Sequence, residues 1–274
     1  MTTFVLSVLL ATFAGQVQPL ASSPSVDEKE ASAARLKYMK QSATVYDIRL
    51  DDDRKTPLKL LPEPALRWNN PVSGVSDGLL VLWVGPDDRP ELAAQVFIAA
   101  GTKDLWLHEF QSLSLGPLTV SRNGAAQWQP RKPGVEMKII DDASPPAETP
   151  AQRLAQMRTI AKNFAAADDF EGKSRWELRL LAKPLHRYGK PKSDILDGAL
   201  FAFAHGTDPE VFLIIESRLK AGKERWHYGL AAMTAYALRA SYQGKDVWNR
   251  PWQQPPFDPK EPFYILKYVP DSAK

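Results

Sequence analysis

The chain of 274 residues carries 35 basic and 32 acidic residues, 23 prolines, 8 tryptophans and no cysteine, with 44% hydrophobic content. The missing cysteine excludes disulfides, thiolate metal sites and cysteine nucleophiles, and an apolar fraction this ordinary excludes wholesale disorder. The formal net charge of +3 is small and well mixed, which argues against a nucleic-acid partner.

The chain opens with MTTFVLSVLLATFA. The apolar stretch from Phe4 to Ala14 has the length of a signal-peptide core and is too short to span a bilayer. Thr12 and Ala14 are small, as the residues before a cleavage site should be. No basic residue precedes the stretch, so the terminal amine alone would supply the positive end. No run of 18 apolar residues follows anywhere, so no stable membrane span is expected. Residues 1–14 thus read as a signal peptide, residues 15–24 as a flexible segment, and the protein as exported, periplasmic or extracellular.

Shifting the sequence by 120 residues lays LKLLPEPALRWNNPVSGVSDG (58–78) on LRLLAKPLHRYGKPKSDILDG (178–198) without a gap. Leu58, Leu60, Leu61, Pro64, Arg67, Pro71, Ser73, Asp77 and Gly78 match Leu178, Leu180, Leu181, Pro184, Arg187, Pro191, Ser193, Asp197 and Gly198. Further on, Trp106 and Trp128 match Trp226 and Trp248. Roughly 17 of about 71 positions agree, against roughly 4 by chance at ordinary residue frequencies. Upstream, Arg35, Leu36, Met39 and Ala43 recur as Arg153, Leu154, Met157 and Ala161 on one stripe of an amphipathic helix. Ser25 with Glu28 reads as a capping box, and Thr149 before Pro150 as a helix start.

Residues 25–143 therefore read as a first repeat unit and residues 144–274 as a second. Each would be a helix followed by antiparallel strands. In the first unit, strands are expected over Leu58–Trp68, Leu79–Val84, Leu92–Ala99, Leu105–Leu115, Leu118–Arg122 and Ala125–Trp128, with Val135–Ile140 closing it. Asn123-Gly124 reads as a tight hairpin turn, and Asp77-Gly78 and Asp197-Gly198 as turns at positive φ. In the second unit, Phe263–Tyr268 would supply the last strand. The expected fold class is α+β: a tandem duplication of a helix-plus-curved-antiparallel-sheet unit, packed as one pseudo-symmetric body. This layout resembles the cystatin-like or NTF2-like class in architecture alone, and a shared architecture implies no activity.

Differences between the units point to candidate site residues. WLHEFQSLS (106–114) faces WHYGLAAMT (226–234), so one copy carries a polar row where the other carries packing. Alternation puts His108 and Ser112 on one face and Glu109 and Gln111 on the other. The loop 249–263, NRPWQQPPFDPKEPF, offers Trp252 and Phe257 as aromatic platforms on an extended backbone. A solvated strand and a packed strap are the plain alternatives. His108, Glu109, Gln111, Ser112, Trp252 and Phe257 are the ligand-binding candidates.

No nucleotide loop or nucleophile elbow is present, and His108-Glu109 lacks the second histidine of a zinc-protease helix. Four scattered histidines show no ligand spacing, so neither a metal nor a cofactor is expected. The expected function is an exported, non-catalytic protein that binds a ligand, a glycan or an envelope protein. A hydrolase with a groove between the units, using His108 and Glu109, is one alternative. A structural module of the envelope is the other.

Overall fold

The computed structural model describes residues 26–170, 172–190, 194–220 and 222–269. The expected signal peptide, the segment 15–24, Ser25, Pro191 and Ser193 lie outside the described residues. In chain order the elements are α1 (Val26–Ala43), β1 (Tyr46–Leu50), β2 (Lys59–Leu60), β3 (Leu66–Asn70), β4 (Val75–Val84), β5 (Pro90–Ile98), β6 (Trp106–Ser112), β7 (Leu118–Arg122), β8 (Ala125–Trp128) and β9 (Lys138–Ile139). There follow α2 (Pro150–Lys162), β10 (Phe164–Phe170), β11 (Ser174–Leu180), β12 (His186–Tyr188), β13 (Ile195–His205), β14 (Asp208–Lys220), β15 (Lys223–Ala232), β16 (Ala237–Tyr242), β17 (Lys245–Arg250) and β18 (Phe263–Tyr268).

This corrects the expected fold class. The molecule is mostly β, with two helices among the described residues and large curled antiparallel sheets, not a duplicated α+β helix-plus-sheet unit. The physical reason lies in the central strands. Leu79–Val84, Ala199–Ala204 and Val211–Ile215 are continuous apolar runs, and their sheets are buried on both faces. A helix can cover only one of those faces. The other face of each sheet is covered by the other sheet.

Three apolar layers result. Leu79, Val81 and Trp83 point into one core with Met39 and Ala43 of α1 and Ile48, Val120 and Trp128 of the small sheet β1-β7-β8. Leu80 and Leu82 point the opposite way, against Leu200, Ala202, Phe212 and Ile214 of β13 and β14. Phe201, Phe203, Leu213 and Ile215 then face a third core with Met157 and Ile160 of α2. Thr149 caps α2 by accepting from the Gln152 amide, with Pro150 in the first turn.

The large sheets run β18-β6-β5-β4-β2 and β17-β16-β10-β11-β13-β14-β15-β9, with β3 added to β4 and β12 to β13. Two expected memberships are reversed. Lys138–Ile139, expected to close the first half, pairs with His227–Tyr228 of β15. Phe263–Tyr268, expected to complete the second half, pairs with Trp106–Gln111 of β6. The hairpin at Asn123-Gly124 forms as expected, both residues lying at positive φ (50° and 78°).

Gly78 and Gly198 are not turn residues. They sit within β4 and β13, where a Cβ would lie 2.3 Å from the Trp68 ring or 2.6 Å from the Tyr188 ring. Glycine is needed there for close approach of an aromatic ring. The neighbouring aspartates hold arginine pairs: Arg35 and Arg67 both bond Asp77, and Arg153 and Arg187 both bond Asp197. These pairs tie each helix to the strand behind it.

A buried ion pair crosses the layer between the sheets. Arg89, at the end of the β4–β5 turn, donates from Nε to Glu216 Oε1 of β14 at 2.8 Å and from Nη1 to the Leu113 carbonyl at 2.9 Å. The Tyr188 hydroxyl donates to the same Oε1 at 2.6 Å, and Arg218 holds the other oxygen. Two measurements check this packing by urea unfolding. Gly78→Ala lowers stability by about 1–3 kcal/mol, whereas Gly116→Ala, whose added Cβ meets open space, changes it by less than about 0.5 kcal/mol. Arg89→Met leaves Glu216 buried without its main partner and costs about 3–5 kcal/mol.

Candidate functional site

Six residues before Glu216 on β14, the layer between the sheets opens into a cavity of about 260 Å³. Its walls include Trp68, Phe97, Phe170, Tyr236 and Met233, and its polar lining includes Asn70, Glu109, Asp208 and Glu210. Among the described residues, no lysine or arginine lines it. Each carboxyl arrives for a local reason. Glu109 is on the face of β6 opposite His108, so strand alternation turns it toward the second sheet. Asp208 opens β14 after the Gly206-Thr207 turn. Glu210 is the extra residue where the β13–β14 register shifts, between the pairs Phe203–Val211 and Ala204–Pro209. A bulge of this kind re-aims a side chain out of the ladder.

Behind Glu210 stand Asp168 of β10 and His205 at the end of β13, with Asp168 Oδ2 and His205 Nδ1 3.3 Å apart. One ligating atom each from Asp168, His205 and Glu210 lie within 4.8 Å of one another. The rings of Trp176 and Phe170 flank His205 at 5.0 and 5.7 Å. Asn70 donates to Asp208 Oδ2 at 3.1 Å, and Gln95 beside it donates to the Pro209 carbonyl at 2.9 Å. Oδ1 of Asp168 and Oδ1 of Asp208 are buried and make no hydrogen bond.

The electrostatics follow from burial without enough countercharge. Burial pushes Glu109 well above the usual carboxylate range, and nearby Asp208 adds to it, with Arg250 acting against. Glu210 is pushed up the same way, by burial first and then by Asp208, Asp168 and Glu109. Asp208 is raised to about 7, chiefly by burial, against the opposing bonds from Asn70 and Gln95. Asp168 also rises by burial, with His205 opposing. A site of this kind stabilises positive charge and resists negative charge.

The six candidates from the sequence are divided by this geometry. Glu109 lines the cavity. Trp252 packs on Tyr236 at 5.9 Å, and Tyr236 on Phe170 at 5.0 Å, which places Trp252 at the end of an aromatic row reaching His205. Gln111 lines a separate cleft with Arg250 and Glu261, its amide bound to the Ser112 carbonyl. The Ser112 amide bonds the Pro262 carbonyl, and Phe257 packs on Phe263, so both are engaged by the C-terminal strap and not by the cavity. His108 is fully buried on the opposite face, its Nδ1 2.6 Å from the Tyr46 hydroxyl. His108 and Glu109 therefore cannot act together. Asp168, His205, Asp208 and Glu210 escaped the sequence reading. The run HGTDPE (205–210), three ionisable groups around a glycine turn between apolar strands, is the signal that carried His205, Asp208 and Glu210; Asp168 had no such local signal.

No family model, no curated protein and no solved structure matches this chain.

Burial pushes His108 down to about 3, with Arg122 adding to the effect. The unfolded chain would take up that proton near pH 6.5, so this contribution to stability is complete above pH 6.5 and is lost as pH falls toward 3. At pH 5 the loss is about 2 kcal/mol. His108→Gln therefore flattens the pH dependence of the urea midpoint between pH 6.5 and 5, as unfolding of both proteins across that range will show.

Proposed function

We propose that this is an exported, non-catalytic binding protein that takes a small, positively charged ligand into the cavity between its two large sheets. The observation that carries the reading is the lining: Glu109, Asp208 and Glu210 converge on one aromatic-walled cavity with no basic side chain among them. Carboxyl groups supply the countercharge, and the faces of Trp68, Phe97, Phe170 and Tyr236 supply cation–π attraction. About 260 Å³ suits a ligand of small size. Export rests on the apolar stretch from Phe4 to Ala14 in the sequence. No helix among the described residues is long and apolar enough to cross a membrane.

Catalysis by His108 with Glu109 is not part of this reading, because the two side chains occupy opposite faces of β6. Titration calorimetry with choline and its neutral carbon isostere, 3,3-dimethylbutanol, tests the charge requirement. Choline is expected to bind at least ten-fold more tightly than the isostere, and Glu109→Gln to lose most of that preference. Equal affinity for the two, or an unchanged preference in Glu109→Gln, overturns the reading.

A further inference from the structure

We propose that Asp168, His205 and Glu210 form a binding site for one divalent transition-metal ion at the inner wall of the cavity. The inference rests on the reading of the cavity as a place for positive charge, and it names a second, inner position with its own chemistry.

Three strands supply the ligands: β10 gives Asp168, the end of β13 gives His205, and the bulge of β14 gives Glu210. Their ligating atoms already lie within 4.8 Å of one another. An ion with bonds of about 2.1 Å needs ligand atoms roughly 3–4 Å apart, so modest side-chain rotation closes the set. All three residues are buried, Asp168 to within 1% of completely.

The acidic cluster alone would not argue for a metal. The independent observation is Asp168 Oδ1, which is buried in a nearly inaccessible side chain and bonds to nothing. Buried polar atoms are almost always partnered, and an orphaned one asks for an explanation. Its sister oxygen faces His205 Nδ1 at 3.3 Å, a long contact. An ion seated among the three residues gives that carboxylate a full partner. It also balances charge, since two carboxylates with a neutral imidazole carry two negative charges against two positive. The mix of one nitrogen and two carboxylate oxygens favours zinc, manganese, iron or cobalt over calcium and magnesium, which prefer all-oxygen shells. The Trp176 and Phe170 rings against His205 hold its plane and exclude water from one side.

Equilibrium dialysis of the full chain against Zn²⁺, Mn²⁺, Co²⁺ and Ca²⁺, with bound metal counted by mass spectrometry, tests the site. One transition-metal ion per chain is expected, with Ca²⁺ at least ten-fold weaker. Asp168→Asn and His205→Ala should each lower the affinity at least 100-fold. If either variant fails to fold, the wild-type chain still decides the matter by fluorescence. Co²⁺ bound at His205 lies beside the Trp176 ring and should quench its emission, and removal of the ion with a chelator should restore it. The proposal is overturned if no transition metal binds below about 100 µM, if both ligand variants bind unchanged, or if Co²⁺ binds without quenching Trp176. Choline binding without metal binding overturns the ion and leaves the cavity reading intact; absence of both overturns both.

Discussion

The structure depends on one constraint: the central runs of β4, β13 and β14 are apolar on both faces and must be covered on both. Helices and the small sheet β1-β7-β8 cover the outer faces. Only the partner sheet covers the inner ones, through Leu80, Leu82, Leu200, Ala202, Phe212 and Ile214. With no cysteine in the chain, burial of this kind is what holds the molecule together. Polar groups that enter the shared layer must then be neutralised, because water cannot reach them.

Two places in the layer answer that demand differently. At Glu216, burial works to raise the carboxyl, but Arg89 and Arg218 more than offset it, and the group ends below its ordinary range. Tyr188 completes the set. Around Glu210, burial and three neighbouring carboxyls all push the same way, and only a hydrogen bond from Thr234 opposes them. The first arrangement has its charge balanced from within and reads as structure. The second is short of positive charge beside a cavity, and that imbalance is the ground for the proposed site.

Much of the fold was legible in the sequence. The two helices and the hairpin at Asn123-Gly124 follow from local pattern. The expected fold class fails because a helix-plus-sheet unit covers each strand on one face, and these strands need cover on two. LLVLWV and ALFAFA carry no polar alternation and already announced cover on both. Asp77-Gly78 was read as a turn because that dipeptide favours one locally; the Trp68 ring that needs the missing Cβ comes from a different strand. The site was legible only in part. Glu109 stood out by comparison with Gly229, but Asp168 reaches His205 across 37 residues of chain, and no spacing rule connects them. The polar row of β6 was split by alternation into a core histidine and a cavity carboxyl, so its residues share a strand and no function.

The two edge strands, β9 and β18, have a consequence of another kind. Each half of the chain lends its last strand to the sheet of the other: β9 closes against β15, and β18 lies along β6. The halves are clasped, as two hands with crossed thumbs. An exposed strand edge invites pairing with another molecule, and here the nearest available partner is built into the same chain. Neither half finishes its own border alone: the edge of each sheet is completed by a strand that the other half supplies.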